Sequence, residues 1–189
     1  MVRIDKIVTK AGDGGKTRLA TGAPVSKASA RVAAYGAVDE LNSALGVARL
    51  HTAGDATLDP ILARAQNDLF DLGADLATPH APEPKFEPLR IQESQVLRLE
   101  AEIEQLNDQL SPLTSFILPG GSATAAHLHL ARAVARRAER EIVALADAET
   151  VSAEAVKFAN RLSDLLFVAA RWANDKGQAD LLWKPGANR

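Results

Sequence analysis

Apolar residues recur at alternating three- and four-residue steps along five stretches of this chain, the spacing that lines one face of a helix. The first begins near Lys27 and runs through Ala30, Ala34, Ala37, Leu41, Ala44 and Ala48. The second opens at Asp59-Pro60, read as an N-cap followed by proline at the first helical position. It carries Leu62, Ala65, Leu69, Leu72 and Leu76. Four prolines between Pro79 and Pro88 dictate a loop. The third stretch holds Val96, Leu99, Ile103, Leu106 and Leu110, and Pro112 stops it. Pro119-Gly120-Gly121-Ser122 opens the fourth, with Ser122 as N-cap, ahead of Leu128, Ala131, Ala135, Ala138, Ile142 and Leu145. The fifth follows Ser152 with Ala155, Ala159, Leu162, Leu166, Ala169 and Ala173. Up to about Pro24 the chain reads as irregular with a short extended piece. No long segment alternates like a strand, so the pattern predicts an all-α, up-and-down helix bundle.

Composition sharpens that picture. The chain has 189 residues, enough for one domain with a real core. Much of its apolar content is alanine, the best helix former, which suits helices with close axes. A net charge of −2 argues against a nucleic-acid surface. The lack of cysteine excludes disulfides, zinc ribbons and thiol catalysis, and fits a reducing compartment. No apolar run reaches membrane-spanning length and no signal-peptide pattern opens the chain, so a soluble cytoplasmic protein is expected.

Candidate chemistry lies first in Thr9-Lys10-Ala11-Gly12-Asp13-Gly14-Gly15-Lys16-Thr17. Glycines let backbone N–H groups approach a phosphate, and lysines add charge. It is not an ordinary P-loop, because Gly15-Lys16-Thr17 would then need glycine where Lys10 stands. It reads as another kind of phosphate loop or as a surface turn.

The polar helix faces offer more. His129, Arg132, Arg136 and Glu139 share one face of the fourth helix, which starts near a glycine pair, an arrangement suited to a polyphosphate. The alternative is a solvated face in which Arg137 pairs with Glu141. Tyr35, Asp39 and Asn42 lie together on the first helix, and Asn160, Asp164 and Arg171 on the fifth. His127 and His129 diverge by about 200° on a helix, which argues against a shared metal. Trp172 and Trp183 read as packing residues. Phe116, in a turn between helices, is placed either in the core or projecting into a cleft.

Four blocks together resemble the PduO-type ATP:cob(I)alamin adenosyltransferases. They are Thr9–Thr17; Ala34-Tyr35-Gly36-Ala37-Val38-Asp39-Glu40-Leu41-Asn42-Ser43; Phe116-Ile117-Leu118-Pro119-Gly120-Gly121 through Arg132 to Arg136-Arg137-Ala138-Glu139-Arg140; and Asn160-Arg161-Leu162-Ser163-Asp164-Leu165-Leu166-Phe167. They follow the family order across nearly the whole chain. One departure is visible: the family usually has threonine or serine where Ala11 stands, so a hydroxyl contact to phosphate is missing.

The resemblance implies a five-helix bundle, with a ferritin-like four-helix core plus one helix, forming a homotrimer with ATP between subunits. It implies one domain over 1–189, with 1–24 the ATP-binding loop and 25–189 the bundle. It implies that cob(I)alamin, as substrate, attacks the ribose 5′ carbon of ATP and expels triphosphate. Nucleotide-contacting positions carried over are Thr9, Lys10, Gly12, Asp13, Gly15, Thr17, Lys27, Arg132, Arg136, Glu139 and Asn160. Mg2+ is then held mainly by ATP phosphates, with no strong protein ligand. Asp39 and Arg132 match an intersubunit ion pair at the active site, and Phe116 matches the aromatic beneath the corrin ring. Transient partners would be a reductase and an adenosylcobalamin-dependent acceptor enzyme, with no nucleic acid and no membrane. The alternative is a non-catalytic ATP and corrinoid carrier or sensor.

Overall fold

The computed structural model describes residues 7–84 and 86–189. Residues 1–6 of the N-terminal loop segment and Lys85 of the proline-rich loop lie outside it. Five helices form where the periodicity places them: α1 Ala30–Arg49, α2 Leu58–Leu76, α3 Glu93–Asn107, α4 Ala123–Ala148 and α5 Ala153–Trp172. The short extended piece is a hairpin of β1 Lys16–Arg18 and β2 Pro24–Ser26, antiparallel with Thr17 opposite Val25.

The helices alternate in direction, as end-to-end contacts show. Arg49 at the end of α1 meets Asp59 at the start of α2, at 2.8 Å. Arg31 at the start of α1 meets Glu149 just past α4, at 2.7 Å. Arg171 near the end of α5 donates to the Ser111 carbonyl beyond α3. Around the bundle α2 flanks α1, α1 flanks α4, α4 flanks α5 and α5 flanks α3. The α1–α4 seam is built on alanines, with Ala34, Ala37, Ala131, Ala135 and Ala138 all buried. Small side chains there let the two axes come close. Between α2 and α3 the link is polar instead: Arg64 pairs with Glu102 at 2.7 Å, and Arg98 pairs with Asp68.

Two helix ends differ from the sequence reading. Asp59 is not the N-cap of α2. Thr57 holds that position without a side-chain bond, and Asp55 just before it does the capping, its Oδ1 accepting from the Thr57 and Leu58 N–H groups at 2.9 and 2.8 Å. Asp59 sits inside the first turn, where its carboxylate takes Arg49 and the Thr52 hydroxyl. The third helix ends at Asn107, so Leu110 packs from a following turn. Ser122 caps α4 as expected, accepting from Ala125, and Ser152 caps α5 in the same way, accepting from Ala155.

The Asp59 carboxyl is held below the usual range by the Arg49 hydrogen bond and then by Thr52. A depressed carboxyl binds its proton less readily in the native than in the unfolded chain. Its contribution is therefore complete above the ordinary carboxylate pKa of about 4 and is lost as pH falls through the lowered native value. Asp59→Asn should remove that part of the acid dependence, read as a flatter urea midpoint against pH below about 5.

Past α5 the chain turns back through Asp180 and crosses beneath the α3–α4 loop. Leu118 N–H donates to Leu181 O at 2.7 Å and Trp183 N–H to Phe116 O at 2.8 Å. Its anchor is Arg171–Asp180, a 2.8 Å ion pair with side chains only 5% and 2% exposed. The sequence pattern groups Arg171 with Asn160 and Asp164, but it lies near the opposite end of α5, buried and committed to this anchor. Asp180→Ala should destabilise the fold by about 3–5 kcal/mol, because it strands a buried guanidinium. A lowered urea midpoint at unchanged m-value would record it.

Candidate active site

Three groups of predicted residues appear on this scaffold, and a single chain does not join them. The first is the N-terminal loop. Lys10 and Gly15 have positive φ, and the turn closes through Gly15 N–H to Gly12 O and Lys27 N–H to Gly15 O. Lys27 folds across Gly12 so closely that a Cβ there would lie 2.8 Å from its Nζ. That atom is the end of a flexible side chain, so a larger residue at Gly12 would displace the ammonium group from the loop backbone. Lys10, Asp13, Lys16 and Lys27 are exposed, Thr9 is exposed and Thr17 half-buried. The hairpin fixes the loop to the bundle through Ala20 N–H to Ala77 O at 3.1 Å, beside the C-terminus of α2.

The second group lies across α4 and α5. Arg136, Glu139, Arg140 and Asn160 line one open depression of about 560 Å³. Asn160 Nδ2 donates to Glu139 Oε1 at 2.8 Å, and its Oδ1 accepts from Arg161 at 2.6 Å. Asparagine inside a helix is therefore used here to orient a carboxylate, leaving the Arg136 guanidinium unpaired among the described residues. Asp164 faces the same charges. Burial pushes its carboxyl up, Arg161 pulls it down, Glu139 raises it and Arg136 lowers it, with a net rise. The depression is of mixed charge, Arg136 and Arg140 standing with Glu139 and Asp147, and the unpaired Arg136 is the cation it offers to a polyanion.

The third group forms a cleft of about 680 Å³ at the far end of the bundle. Phe116, His129, Arg132, Phe167 and Trp183 line it. Phe116 is 78% exposed, so it projects from its turn instead of packing in the core. Trp183 does not pack in the interior as its sequence suggests; it is 44% exposed and faces Phe116 at 6.1 Å between ring centroids. Only the chain reversal after α5 brings it there, which no local pattern signals. Arg132 stands at the cleft edge. Its Nε is buried and has no partner among the described residues, and burial followed by Arg136 lowers its pKa.

Several groupings expected from helical spacing give way to different contacts. Asn42 turns from Asp39 toward α2 and donates to Gln66 O at 3.1 Å. Asp39 stays exposed, and its carboxylate makes no ion pair among the described residues. Arg137 pairs with Glu40 of α1 and not with Glu141. The glycine pair before α4 is no open phosphate cradle. The Asn174 amide fills that space, accepting from Ser122 N–H at 3.0 Å and donating to Gly120 O at 3.2 Å. Gly121, at φ +98°, has no room for a Cβ beside that amide. His127 and His129 diverge as the helical spacing requires: His127 stacks on His51 at 5.1 Å, while His129 faces the cleft.

A further cavity of about 560 Å³ lies between the hairpin turn and the proline-rich loop, and it holds none of the three groups.

A glycine-rich loop, a mixed-charge depression and an aromatic cleft thus lie on one helical bundle. The chain belongs to the cobalamin adenosyltransferase family, whose model matches residues 7–173. It is 47% identical over 190 residues to the corrinoid adenosyltransferase of Mycobacterium tuberculosis, covering 100% of this chain and 97% of that one. It is 41% identical over 172 residues to that of Bacillus subtilis, covering 89% and 86%. A solved variant of the PduO-type ATP:corrinoid adenosyltransferase from Lactobacillus reuteri, complexed with cobalamin and ATP, superposes with a TM-score of 0.87. That match has 40% identity and covers 95% of this chain and 99% of that one. A second variant, complexed with ATP, gives 0.85 at 42% identity, covering 95% and 100%. Among the described residues, no helix is long and apolar enough to cross a membrane.

Proposed function

We infer that this protein transfers the 5′-deoxyadenosyl group of ATP to cob(I)alamin, giving adenosylcobalamin and triphosphate. The carrying observation is that one helix, α4, bears both the depression with the unpaired Arg136 and the aromatic cleft, within a chain of this family. The bond formed joins cobalt to C5′. The bond broken joins C5′ to the triphosphate oxygen, which leaves with the electron pair. The nucleophile belongs to the corrinoid, so the chain's part is to position the two substrates and neutralise the leaving group.

Arg136 and the Asn160–Glu139 pair hold the nucleotide, and the N-terminal loop from residue 7 to 24 wraps its triphosphate with Lys10, Lys16 and backbone N–H groups, joined by Lys27. Magnesium rides on the phosphate oxygens. Phe116 covers the lower face of the corrin and keeps water from the cobalt. The working form is a homotrimer. Two features of the single chain support that reading: the N-terminal loop makes no hydrogen bond or ion pair to α4 among the described residues, and Arg132 and Asp39 both lack partners there. A reductase and an adenosylcobalamin-dependent enzyme act before and after it.

An anaerobic assay with MgATP and chemically reduced cobalamin, followed by the corrinoid spectrum, should show the cobalt–carbon bond forming with one triphosphate released per turnover. Release of ADP with no cobalt–carbon bond would overturn the reading, and binding of both substrates without turnover would make the chain a carrier.

The loop gives a second test. Gly12, Gly14 and Gly15 are costly to order, and little apolar surface there offsets that cost. Trypsin should cut between Lys10 and Arg18 readily in the free protein and slowly with MgATP. Equal rates would remove the loop from triphosphate binding.

A further inference from the structure

Phe70 belongs to none of the groups above, yet it stands 73% exposed in α2, and among the described residues only Phe116 is a more exposed aromatic. One exposed phenylalanine means little by itself; its place is what matters. Asn42 of α1 and Gln66 of α2 exchange hydrogen bonds, each side-chain amide donating to the other's backbone carbonyl, at 3.1 and 3.2 Å. The two helices run antiparallel, as Arg49–Asp59 shows. One turn back along α1 therefore lies level with one turn forward along α2. Those positions are Asp39 and Phe70. Both are exposed, so a carboxylate and an apolar ring share one patch of the α1–α2 surface. One turn farther stand Gly36 and Gly73, where an added Cβ would meet nothing beyond its own helix within 4 Å. No packing among the described residues calls for glycine there, and the bare helix leaves the patch open to close approach from outside.

The Phe116 cleft has the complementary features. Its walls come from the α3–α4 loop, α4, α5 and the chain past α5, and none from α1 or α2. Its volume is about 680 Å³. Pockets for drug-sized ligands already reach about 1,000 Å³ and cover most of the ligand, and a corrinoid is larger than those. A corrinoid seated here keeps one side uncovered by this chain. Arg132, half-buried at the cleft edge, makes no ion pair among the described residues.

We propose that Phe70 of one subunit closes the mouth of the next subunit's Phe116 cleft and packs on the hydrocarbon edge of the bound corrin. The inference rests on the adenosyltransferase reading and its homotrimer. Where Asp39 meets the neighbour's Arg132, the Phe70 ring, on a helix about 8–10 Å from that of Asp39, arrives at the mouth that Arg132 borders. It supplies an apolar wall that neither charged group can, and the bare helix at Gly36 and Gly73 lets the neighbour come close.

The test measures assembly by light scattering and separate KM values for MgATP and pre-reduced cob(I)alamin. Phe70→Ala should stay trimeric and raise the corrinoid KM roughly tenfold, the scale of one lost apolar contact, with the ATP KM unchanged. Phe70→Leu should recover most of it. Mixing then decides whose cleft the ring serves. Phe70→Ala and Phe116→Ala subunits are co-expressed in equal amounts and assayed from Co(II), with corrinoid well below its KM. They should give about a quarter of the wild-type rate, because that share of the interfaces of a cyclic trimer regains both rings. The mean of the two separate variants lies several-fold lower. No gain over that mean, an unchanged corrinoid KM in Phe70→Ala, or loss of its trimer overturns the proposal. Wild type that forms no cobalt–carbon bond fails the functional reading itself, and wild type active as a monomer fails the homotrimer.

Discussion

Phe116→Ala should keep its melting temperature and its ATP affinity while losing turnover by roughly a hundredfold when cobalt is supplied as Co(II), the scale on which a misplaced reacting group acts. A core phenylalanine would instead cost about 3–5 kcal/mol of stability on truncation. The side chain is 78% exposed, so that outcome is not expected. What the fold draws from Phe116 is its carbonyl, which accepts from Trp183 N–H at 2.8 Å and survives the substitution. The tilted ring contact with Trp183 adds about 0.5–1.5 kcal/mol at most. On the proposed function, the ring acts before the displacement. A phenyl group offers cobalt no donor and excludes water, which favours the electron-rich Co(I) state. Pre-formed Co(I) should therefore restore part of the rate. A lowered melting temperature with unchanged turnover would return Phe116 to the core.

The bundle is legible in the sequence because its signal is periodic. Leu128, Ala131, Ala135, Ala138, Ile142 and Leu145 all fall inside α4 and are all buried. Serine caps are legible for the same local reason. Asp59 misleads because Asp-Pro is a strong start signal, while Asp55 reaches the first backbone N–H groups from an Asx-type turn just before. Long-range partnerships leave no periodic trace. Arg171 finds Asp180 only when the chain reverses, and Trp183 reaches Phe116 by the same reversal. Gly120-Gly121 has the look of a phosphate cradle, and only the fold shows Asn174 occupying it. The Arg136–Glu139 spacing does predict a shared face. Helical spacing groups Asn160 with Asp164 on the fifth helix, but its partnership with Glu139 on another helix leaves no periodic trace.

Arg132→Ala should weaken assembly and activity together, whatever the oxidation state of the cobalt supplied. The isolated chain leaves the Arg132 Nε buried and unpartnered, in surroundings that disfavour its charge. Asp39 is exposed on α1 with no ion-pair partner among the described residues. If the two meet across a subunit boundary, removing one strands the other, at about 3–5 kcal/mol for a buried pair. Light scattering against concentration should then show Arg132→Ala, and likewise Asp39→Ala, dissociating where wild type stays trimeric. Mixing the two inactive variants decides where the pair lies. An Asp39→Ala subunit still carries Arg132, and an Arg132→Ala subunit still carries Asp39. In an equal mixture roughly a quarter of the interfaces of a cyclic trimer should therefore regain both partners, and activity should return in about that proportion. A pair formed within one chain is broken in every subunit and gains nothing from mixing. No recovery in a mixture that does assemble would exclude the pair across subunits.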